Sequence, residues 1–409
     1  MKDFFKVQSL ALVKAHIPAF GIMDIETVSL TESLERVLAL DILSDVDIPD
    51  FMRATMDGYA VSAQSTFGAS EGNAAYLSIQ GSVAMGEIPS FAIGPGEAAK
   101  ISTGGMLPRG ANAVVMVEHT EALDPLTLEV YKSVAPGQHM VDVGEDFKKG
   151  EPVLFKGKRI RPQEAGFLAA MGKEAVKVYK KPRVGILSTG DEIVPVSQTP
   201  GLGKIRDINS HTLASLVSQC GGTPVMYGIT GDNPEDLYFQ CKKALEETDM
   251  VLISGGSSVG ARDFTLSTIH SLPDASVLVH GISISPGKPT ILARIQNKPF
   301  WGLPGHVVSA MVVFSMVVKP FLQHISGLSE TEDQRLPFPA VLSRNIASAQ
   351  GRTDFIRVKL ARKNGTLFAE PVLGKSGLIN TMIKADGLIE IGENMEGLDQ
   401  GTPVDVILM

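Results

Sequence analysis

From Pro182 onward, short apolar runs alternate with amphipathic ones in a regular rhythm. Arg183-Val184-Gly185-Ile186-Leu187 reads as a strand. A helix opens near Ser210, because Leu213, Leu216, Val217 and Cys220 fall at i, i+3, i+4 and i+7 and make one stripe, which Gly221-Gly222 ends. Pro224 to Ile229 predicts the next strand, Glu235 to Glu247 a helix with Leu237, Cys241, Ala244 and Leu245 inward, and Met250 to Ile253 a third strand. Further strands are predicted at Val277 to Val279, Thr290 to Ile295 and Pro299 to Gly302. Such alternation implies a mostly parallel sheet covered on both faces by right-handed crossovers, so residues 181–328 are expected to form a three-layer αβα domain.

The pattern differs on either side. Residues 46–146 are rich in glycine and short β-branched runs, with turn signals such as Gly94-Pro95-Gly96 and Pro136-Gly137, and predict a mostly β domain. It is inserted between residues 1–45 and 147–180, which look helical or mixed and form a linker domain. Residues 329–409 carry glycine-separated strands at Phe355 to Leu360, Leu367 to Ala369, Leu388 to Ile391 and Val404 to Leu408, which suit a small β-barrel or sandwich. The fold class is therefore multi-domain α/β. The first segment, interrupted by Asp3, Lys6 and Lys14, reads as an amphipathic helix rather than a signal peptide. The most apolar run, Val307 to Val318, stops at Lys319-Pro320, short of the ~20 residues that span a bilayer, so no membrane segment is expected.

Composition narrows the partners. At 409 residues, with roughly 150 per domain, two to four domains are expected. A content of 44% apolar and 20% charged residues argues against disorder. The net charge of -8 is spread without like-charge runs, which disfavours a nucleic-acid substrate. The two cysteines, Cys220 and Cys241, lie on apolar helix faces without CxxC spacing, which excludes a disulfide framework or zinc site and suits a reducing cytoplasm.

In an open parallel sheet, ligands bind beyond the carboxyl ends of the strands. Five polar segments nearly all follow predicted strands and are expected to line one crevice: STGDE (Ser188 to Glu192), GDNP (Gly231 to Pro234), SGGSSVG (Ser254 to Gly260), SPGKP (Ser285 to Pro289) and GLPGH (Gly302 to His306). SGGSSVG offers backbone N–H groups and hydroxyls ahead of a helix, a cradle for phosphate, although in isolation it reads equally as a tight turn. The GKS at Gly374 to Ser376 is no P-loop, since Ala369 stands where the first glycine is needed. Asp191, Glu192, Asp232 and Asp263 would repel a phosphate unless a divalent cation lay between them, and magnesium prefers a few carboxylates, waters and phosphate oxygens. Each carboxylate taken singly also suits a helix N-cap or a solvated turn. Lys288 would project from a Pro-Gly turn toward an oxyanion. His306, with no second histidine at ligand spacing, reads as capping or packing. Nothing resembles an activated nucleophile, which leaves cation-assisted electrostatics.

Together, TMDGYA (Thr55 to Ala60), ISTGGMLPRGANAVV (Ile101 to Val115), GED (Gly144 to Asp146), STGDE, SGGSSVGARDFT, SPGKPT and GLPGHVVSA resemble the molybdopterin molybdenumtransferase family, which includes the carboxyl-terminal region of gephyrin. The resemblance runs in order over nearly the whole chain. It implies a magnesium-assisted, molybdate-dependent or tungstate-dependent cleavage of adenylyl-molybdopterin that places the metal on the dithiolene sulfurs and releases AMP. By motif position, Asp57, Thr103, Asp146, Glu192, Asp232 and Asp263 match the family's functional polar residues, with Glu192, Asp232 and Asp263 the implied magnesium ligands. Ser188, Thr189, Gly190, Gly255, Gly256, Ser257, Ser258 and Pro304 match the cofactor-binding loops, and Lys288, Arg352 and Ser376 the oxyanion site. The resemblance also implies a cytoplasmic homodimer in which Asp57 and Thr103 serve the partner's site. Handover from the adenylyltransferase and to molybdoenzyme maturation factors is implied too.

The chain departs from that pattern at Ser285, where many members carry a basic residue, at His306-Val307, where many have Asn-Pro, and at Asn112, where aspartate is frequent. A cation missing from an oxyanion pocket should weaken anion binding. Two competing readings are the preceding adenylyl transfer from ATP to molybdopterin, and a pterin-binding scaffold with weak catalysis. A pterin-binding assay beside a turnover assay separates them.

Overall fold

The computed structural model of the chain describes residues 7–255, 259–330 and 337–409, with the backbone alone over 259–263. It divides into two compact units. One comprises the chain up to Leu40, Lys156–Pro162 and Ala175–Met409; the other comprises Asp41–Phe155 and Gln163–Glu174.

The first unit is built on a six-stranded sheet of β1 (Arg183–Thr189), β2 (Thr223–Thr230), β3 (Met250–Gly255), β4 (Ser276–His280), β5 (Ile291–Ile295) and β6 (Lys298–Pro304), in the order β2-β1-β3-β6-β5-β4. Strands β2, β1, β3 and β6 are mutually parallel. Strand β5 runs antiparallel to both neighbours, which corrects the expectation of crossovers throughout. The cause is a two-residue hairpin in which Gln296 and Asn297 both take left-handed backbone (φ 51° and 63°), the turn geometry that matches strand twist. Gln-Asn lacks the Asn-Gly signature that would have announced it.

Helices α1 (Asn209–Gln219), α2 (Pro234–Glu247) and α3 (Val259–Ser271) flank the sheet. Successive strand residues point to opposite faces, so β1 and β3 feed two separate cores. Ile186 and Leu252 pack with Leu213 and Val217 on one side. Leu187, Val251 and Ile253 pack with Leu237, Cys241, Ala244 and Leu245 on the other. Each buried Val, Leu or Ile among them contributes about 1.5–3 kcal/mol by leaving water.

The apolar run after β6 breaks at Lys319-Pro320, but the helix that carries it does not. Helix continues from Val307–Val313 through a π turn at Phe314–Val318 into Lys319–Ile325. Proline lacks the N–H that a regular helix needs, and the helix widens in the turn just before it. By length and composition this helix could cross a membrane, yet 67% of it is buried within the protein, as a core helix is.

The carboxyl-terminal strands β7 (Phe338–Leu342), β8 (Thr353–Lys363), β9 (Thr366–Pro371), β10 (Gly387–Ile391) and β11 (Pro403–Leu408) form a barrel in the order β8-β9-β7-β11-β10. Pairing of β8 with β10 closes it. Ala340, Leu342, Val358, Ala369, Ile389 and Val406 fill its interior. Outward-facing Phe355, with Met382 and Leu388, instead joins the core around Val312 and Phe314, so barrel and sheet share apolar packing.

The second unit holds a six-stranded mixed sheet in the order Ala113–Met116, Gly58–Val61, Glu97–Ile101, Ala75–Val83, Thr127–Val130, Thr120–Asp124. Both faces of its central strands are buried. Tyr59, Val61 and Val115 pack on one side, Ala60, Ala99 and Val114 on the other, which is why these strands read as unbroken apolar runs.

Candidate functional site

Strand register brings the predicted loops to one edge. Thr189 at the end of β1 pairs with Thr230 of β2 and Gly255 of β3, and Gly255 pairs with Pro304 of β6. STGDE, GDNP, SGGSSVG and GLPGH therefore leave the sheet side by side. Gly255 is required there, since a Cβ would lie 2.4 Å from Thr189 Cγ2. Gly256, Ser257 and Ser258 lie outside the described residues, as does the side chain of Asp263, whose backbone belongs to α3.

Beneath this edge runs a buried polar network that the motif reading passed over. Ser188 Oγ donates to Asp207 Oδ1 at 2.9 Å and lies 2.8 Å from Ser210 Oγ. Asp207 Oδ1 also accepts from the Ser210 amide in the first turn of α1. Asn209 Nδ2 donates to Ser254 Oγ at 2.6 Å and to the Gly305 carbonyl at 2.8 Å, tying three loop bases together. Asp207-x-Asn209-Ser210 at a helix start was the available signal. Ser188 itself is fully buried and spends its hydroxyl inside this network.

The acidic residues of STGDE and GDNP form a chain of contacts. Asp191 Oδ1 accepts from the Asp232 amide at 3.1 Å, and Asp232 Oδ1 accepts from the Thr189 hydroxyl at 3.4 Å. Gly190 has φ 145°, and a Cβ there would meet Glu192 Oε2 at 2.7 Å, so the loop folds back on its own carboxylate. Lys204 Nζ donates to the Asp191 carbonyl rather than to a carboxylate. No Lys or Arg pairs with the carboxylates of Asp191, Glu192 or Asp232 among the described residues, and no three His, Cys, Asp or Glu gather into a metal-holding group.

SPGKP does not follow a strand of this sheet. It follows the short strand Ile284–Ser285, which pairs in parallel with Thr353 and Asp354 at the start of barrel strand β8. That pairing sets SPGKP opposite GRTDF, and the two border a cleft of about 930 Å³ that Pro304 and His306 also line. Lys288, Arg352, Arg357, His306 and Ser376 line it, and among the described residues no carboxylate does. Gly287 shapes the turn, because φ is 125° and a Cβ would lie 2.4 Å from Val313 Cγ2. His306 occupies the N-cap position of Val307–Val313 but makes no side-chain cap, contrary to the capping reading. Its Nδ1 lies 2.8 Å from Ser376 Oγ. Arg352 engages Asp354 through Nε at 2.9 Å and Nη2 at 3.2 Å, and Asp354 also accepts from Ser348 Oγ.

In the second unit, Asp57 Oδ1 accepts from the Thr103 amide at 2.7 Å and the Thr103 hydroxyl at 3.0 Å. These bonds, the backbone one first, hold the Asp57 carboxyl below its ordinary range. Gly58 admits the close approach of the next strand, as a Cβ would lie 1.9 Å from the Val115 carbonyl oxygen. Asp146 is exposed, its amide bonded to the Ile48 carbonyl at 3.0 Å. Asn112 Oδ1 accepts from the Ala63 amide at 2.7 Å, a bond that aspartate could make equally. Burial pushes the Cys241 thiol up to about 12, as suits a packing residue.

Three family models match in order: the MoeA N-terminal region (domain I and II) over residues 7–172, a probable molybdopterin binding domain over 185–324, and the MoeA C-terminal region (domain IV) over 339–409. A putative molybdopterin biosynthesis protein of Methanocaldococcus jannaschii is 40% identical over 94% of this chain and 92% of its own length. The molybdopterin molybdenumtransferase of Bacillus subtilis is 32% identical over 94% of this chain and 90% of its own. A crystal structure of a molybdopterin biosynthesis MoeA protein from Pyrococcus horikoshii superposes with a TM-score of 0.80 at 40% identity, covering 98% of this chain and 99% of that one.

Proposed function

Because the chain belongs to the MoeA family, and with it carries molybdopterin molybdenumtransferase activity, we propose that its two loop systems divide that reaction between them. The cleft lined by Lys288, Arg352 and Ser376 receives the molybdate or tungstate oxyanion. The row of loops that begins after Thr189, Thr230 and Gly255 receives the adenylyl-molybdopterin phosphates. The observation that carries this reading is the cleft's charge: among the described residues several cations and no carboxylate line it. A doubly charged oxyanion is attracted there at close range, and low-dielectric walls strengthen the effect.

Magnesium fits the acidic loops. Glu192 and Asp232 offer hard oxygen donors with no Lys or Arg partner among the described residues, and magnesium is content with one or two carboxylates plus waters and phosphates. These residues, with Asp263, would hold it, and it supplies neutralisation of phosphate charge. Thr189 orients the Asp232 carboxylate through its hydroxyl. Pro304, shared between sheet edge and cleft, sets the two substrates side by side. Water adds to phosphorus as the phosphoanhydride bond breaks and AMP leaves, and the metal takes the two dithiolene sulfurs while an oxide of the oxyanion departs with protons as water.

The same reading has the protein act in the cytoplasm as a homodimer, with Asp57 and Thr103 serving the partner subunit's site. It receives substrate from the adenylyltransferase and passes product to molybdoenzyme maturation factors.

AMP release from adenylyl-molybdopterin is the test. Release should require magnesium together with molybdate or tungstate, and Lys288→Ala should raise the molybdate concentration for half-maximal rate about tenfold, the size of a lost charge-assisted contact. Release without the oxyanion, or an unchanged molybdate requirement in Lys288→Ala, would sink the assignment of the cleft.

A further inference from the structure

Asn209 is the first residue of α1, and only 8% of it is exposed. Its side-chain nitrogen reaches two strand ends at once. One proton goes to Ser254 Oγ at 2.6 Å and the other to the Gly305 carbonyl at 2.8 Å. A backbone carbonyl only accepts, so the atom that faces Gly305 is the nitrogen and the orientation of the amide is fixed. Oδ1 has no hydrogen-bond partner among the described residues, so the bonding of this side chain is spent on those two loops.

The two acceptors differ in how firmly they are held. Ser254 lies within β3 and pairs with Leu303, and Gly255 pairs with Pro304 in the last rung between β3 and β6. Gly305 follows that rung, in the GLPGH turn whose Pro304 and His306 line the cleft. The Asn209 amide thus extends the ladder past its end, from the root of SGGSSVG to the turn beside the cleft. His306 carries the constraint onward to Ser376. Asn209 is itself anchored, because the amide of its neighbour Ser210 donates to Asp207 and the Ser210 hydroxyl lies 2.8 Å from Ser188 Oγ at the end of β1. Thr189, next along β1, donates to Asp232. One turn of helix therefore meets the ends of β1, β3 and β6.

We infer that Asn209 is a positioning residue: by tying Gly305 to Ser254 it fixes the turn beside the oxyanion cleft against the root of the phosphate loop, and so makes AMP release answer to the oxyanion. This rests on the division of substrates proposed above. Each ligand keeps its own contacts when the tie is cut, but the two no longer meet in register, and a displacement of about 1 Å between reactants costs on the order of a hundredfold in rate. The signature is a loss of rate without a loss of binding.

The test follows AMP release by the full-length protein supplied with adenylyl-molybdopterin, magnesium and sodium molybdate. In Asn209→Ala the maximal rate should fall about a hundredfold, while the half-saturating concentrations of adenylyl-molybdopterin and of molybdate stay within about twofold. Ser254→Ala removes the anchor at the other end and should show the same split, and Asn209→Ala/Ser254→Ala should lose no more than Asn209→Ala alone. Losses that add would mean that the two residues act separately, and would overturn the inference. So would a rise in both half-saturating concentrations with the maximal rate retained, the result of loosened packing alone. Should Asn209→Ala fail to fold, Ser254→Ala decides, and wild-type kinetics in it would sink the proposal. If the unaltered protein releases AMP without molybdate, the reading of the cleft fails and this inference with it; if its release depends on molybdate and Asn209→Ala matches it in rate, the cleft reading stands and only Asn209 is misassigned.

Discussion

The imidazole Nδ1 of His306, which follows the last strand of the sheet, lies 2.8 Å from the hydroxyl of Ser376, which belongs to the barrel side of the cleft. The Ser376 carbonyl in turn accepts from the Val308 amide at 3.0 Å. One residue on each wall thus fixes the other, and the serine hydroxyl is presented in a single orientation.

His306→Ala removes that constraint. The molybdate concentration for half-maximal AMP release should rise roughly threefold to tenfold, the scale of one hydrogen bond, with the maximal rate little changed. His306→Asn, which restores the residue common in the family, should recover most of the loss. Equal kinetics for alanine and wild type would show that Ser376 needs no such support.

Asp57 gives a pH dependence with a definite sign. Its folded carboxyl is held low by Thr103, so the ionised form contributes stability above the ordinary carboxylate range, and that contribution disappears as pH falls through the lowered value. Asp57→Asn should therefore lower the urea midpoint at neutral pH, and the gap to wild type should close below about pH 4. A gap that is constant from pH 7 to pH 3 would mean the carboxylate charge is irrelevant there.

Gly287→Ala tests the turn that carries Lys288. The added methyl would sit 2.4 Å from Val313 Cγ2 on backbone with φ 125°. Overpacking and strain together should cost about 2–4 kcal/mol, visible as a lower urea midpoint with an unchanged slope.

Cys241 should resist iodoacetamide at pH 8 in the native protein and react fully in urea. Burial raises its thiol to about 12, so the protonated form contributes stability that is intact below the unfolded thiol's value near ~8.5 and is lost as pH climbs through about 12. Rapid native labelling would show that its pocket opens.

Much of the α/β layer was legible because its helices and strands bury one periodicity each. The stripe of Leu237, Cys241, Ala244 and Leu245 lies in the core as its spacing requires. The hairpin at Gln296-Asn297 was not legible, since its left-handed backbone is allowed by those residues without being signalled by them. Helix continuation past Pro320 escaped for a related reason: a proline reads as a stop, and the π turn at Phe314–Val318 that accommodates it has no signature in the residues. At the site, loop convergence followed from strand ends, whereas the placement of SPGKP depended on a pairing between Ile284–Ser285 and Thr353-Asp354 across 69 residues of sequence. Arg357, which also lines the cleft, carried no signal in the chain at all, since a basic residue in a strand is ordinary.

The apolar seam at Phe355, Met382 and Leu388, where barrel side chains interleave with the long helix around Val312 and Phe314, ties the spacing of the charged walls to apolar packing. On the proposed assignment of this cleft, selectivity among oxyanions then depends on methyl-sized changes in that packing as well as on the charged groups. Screens for altered preference belong at that seam as much as at the lysine and arginines.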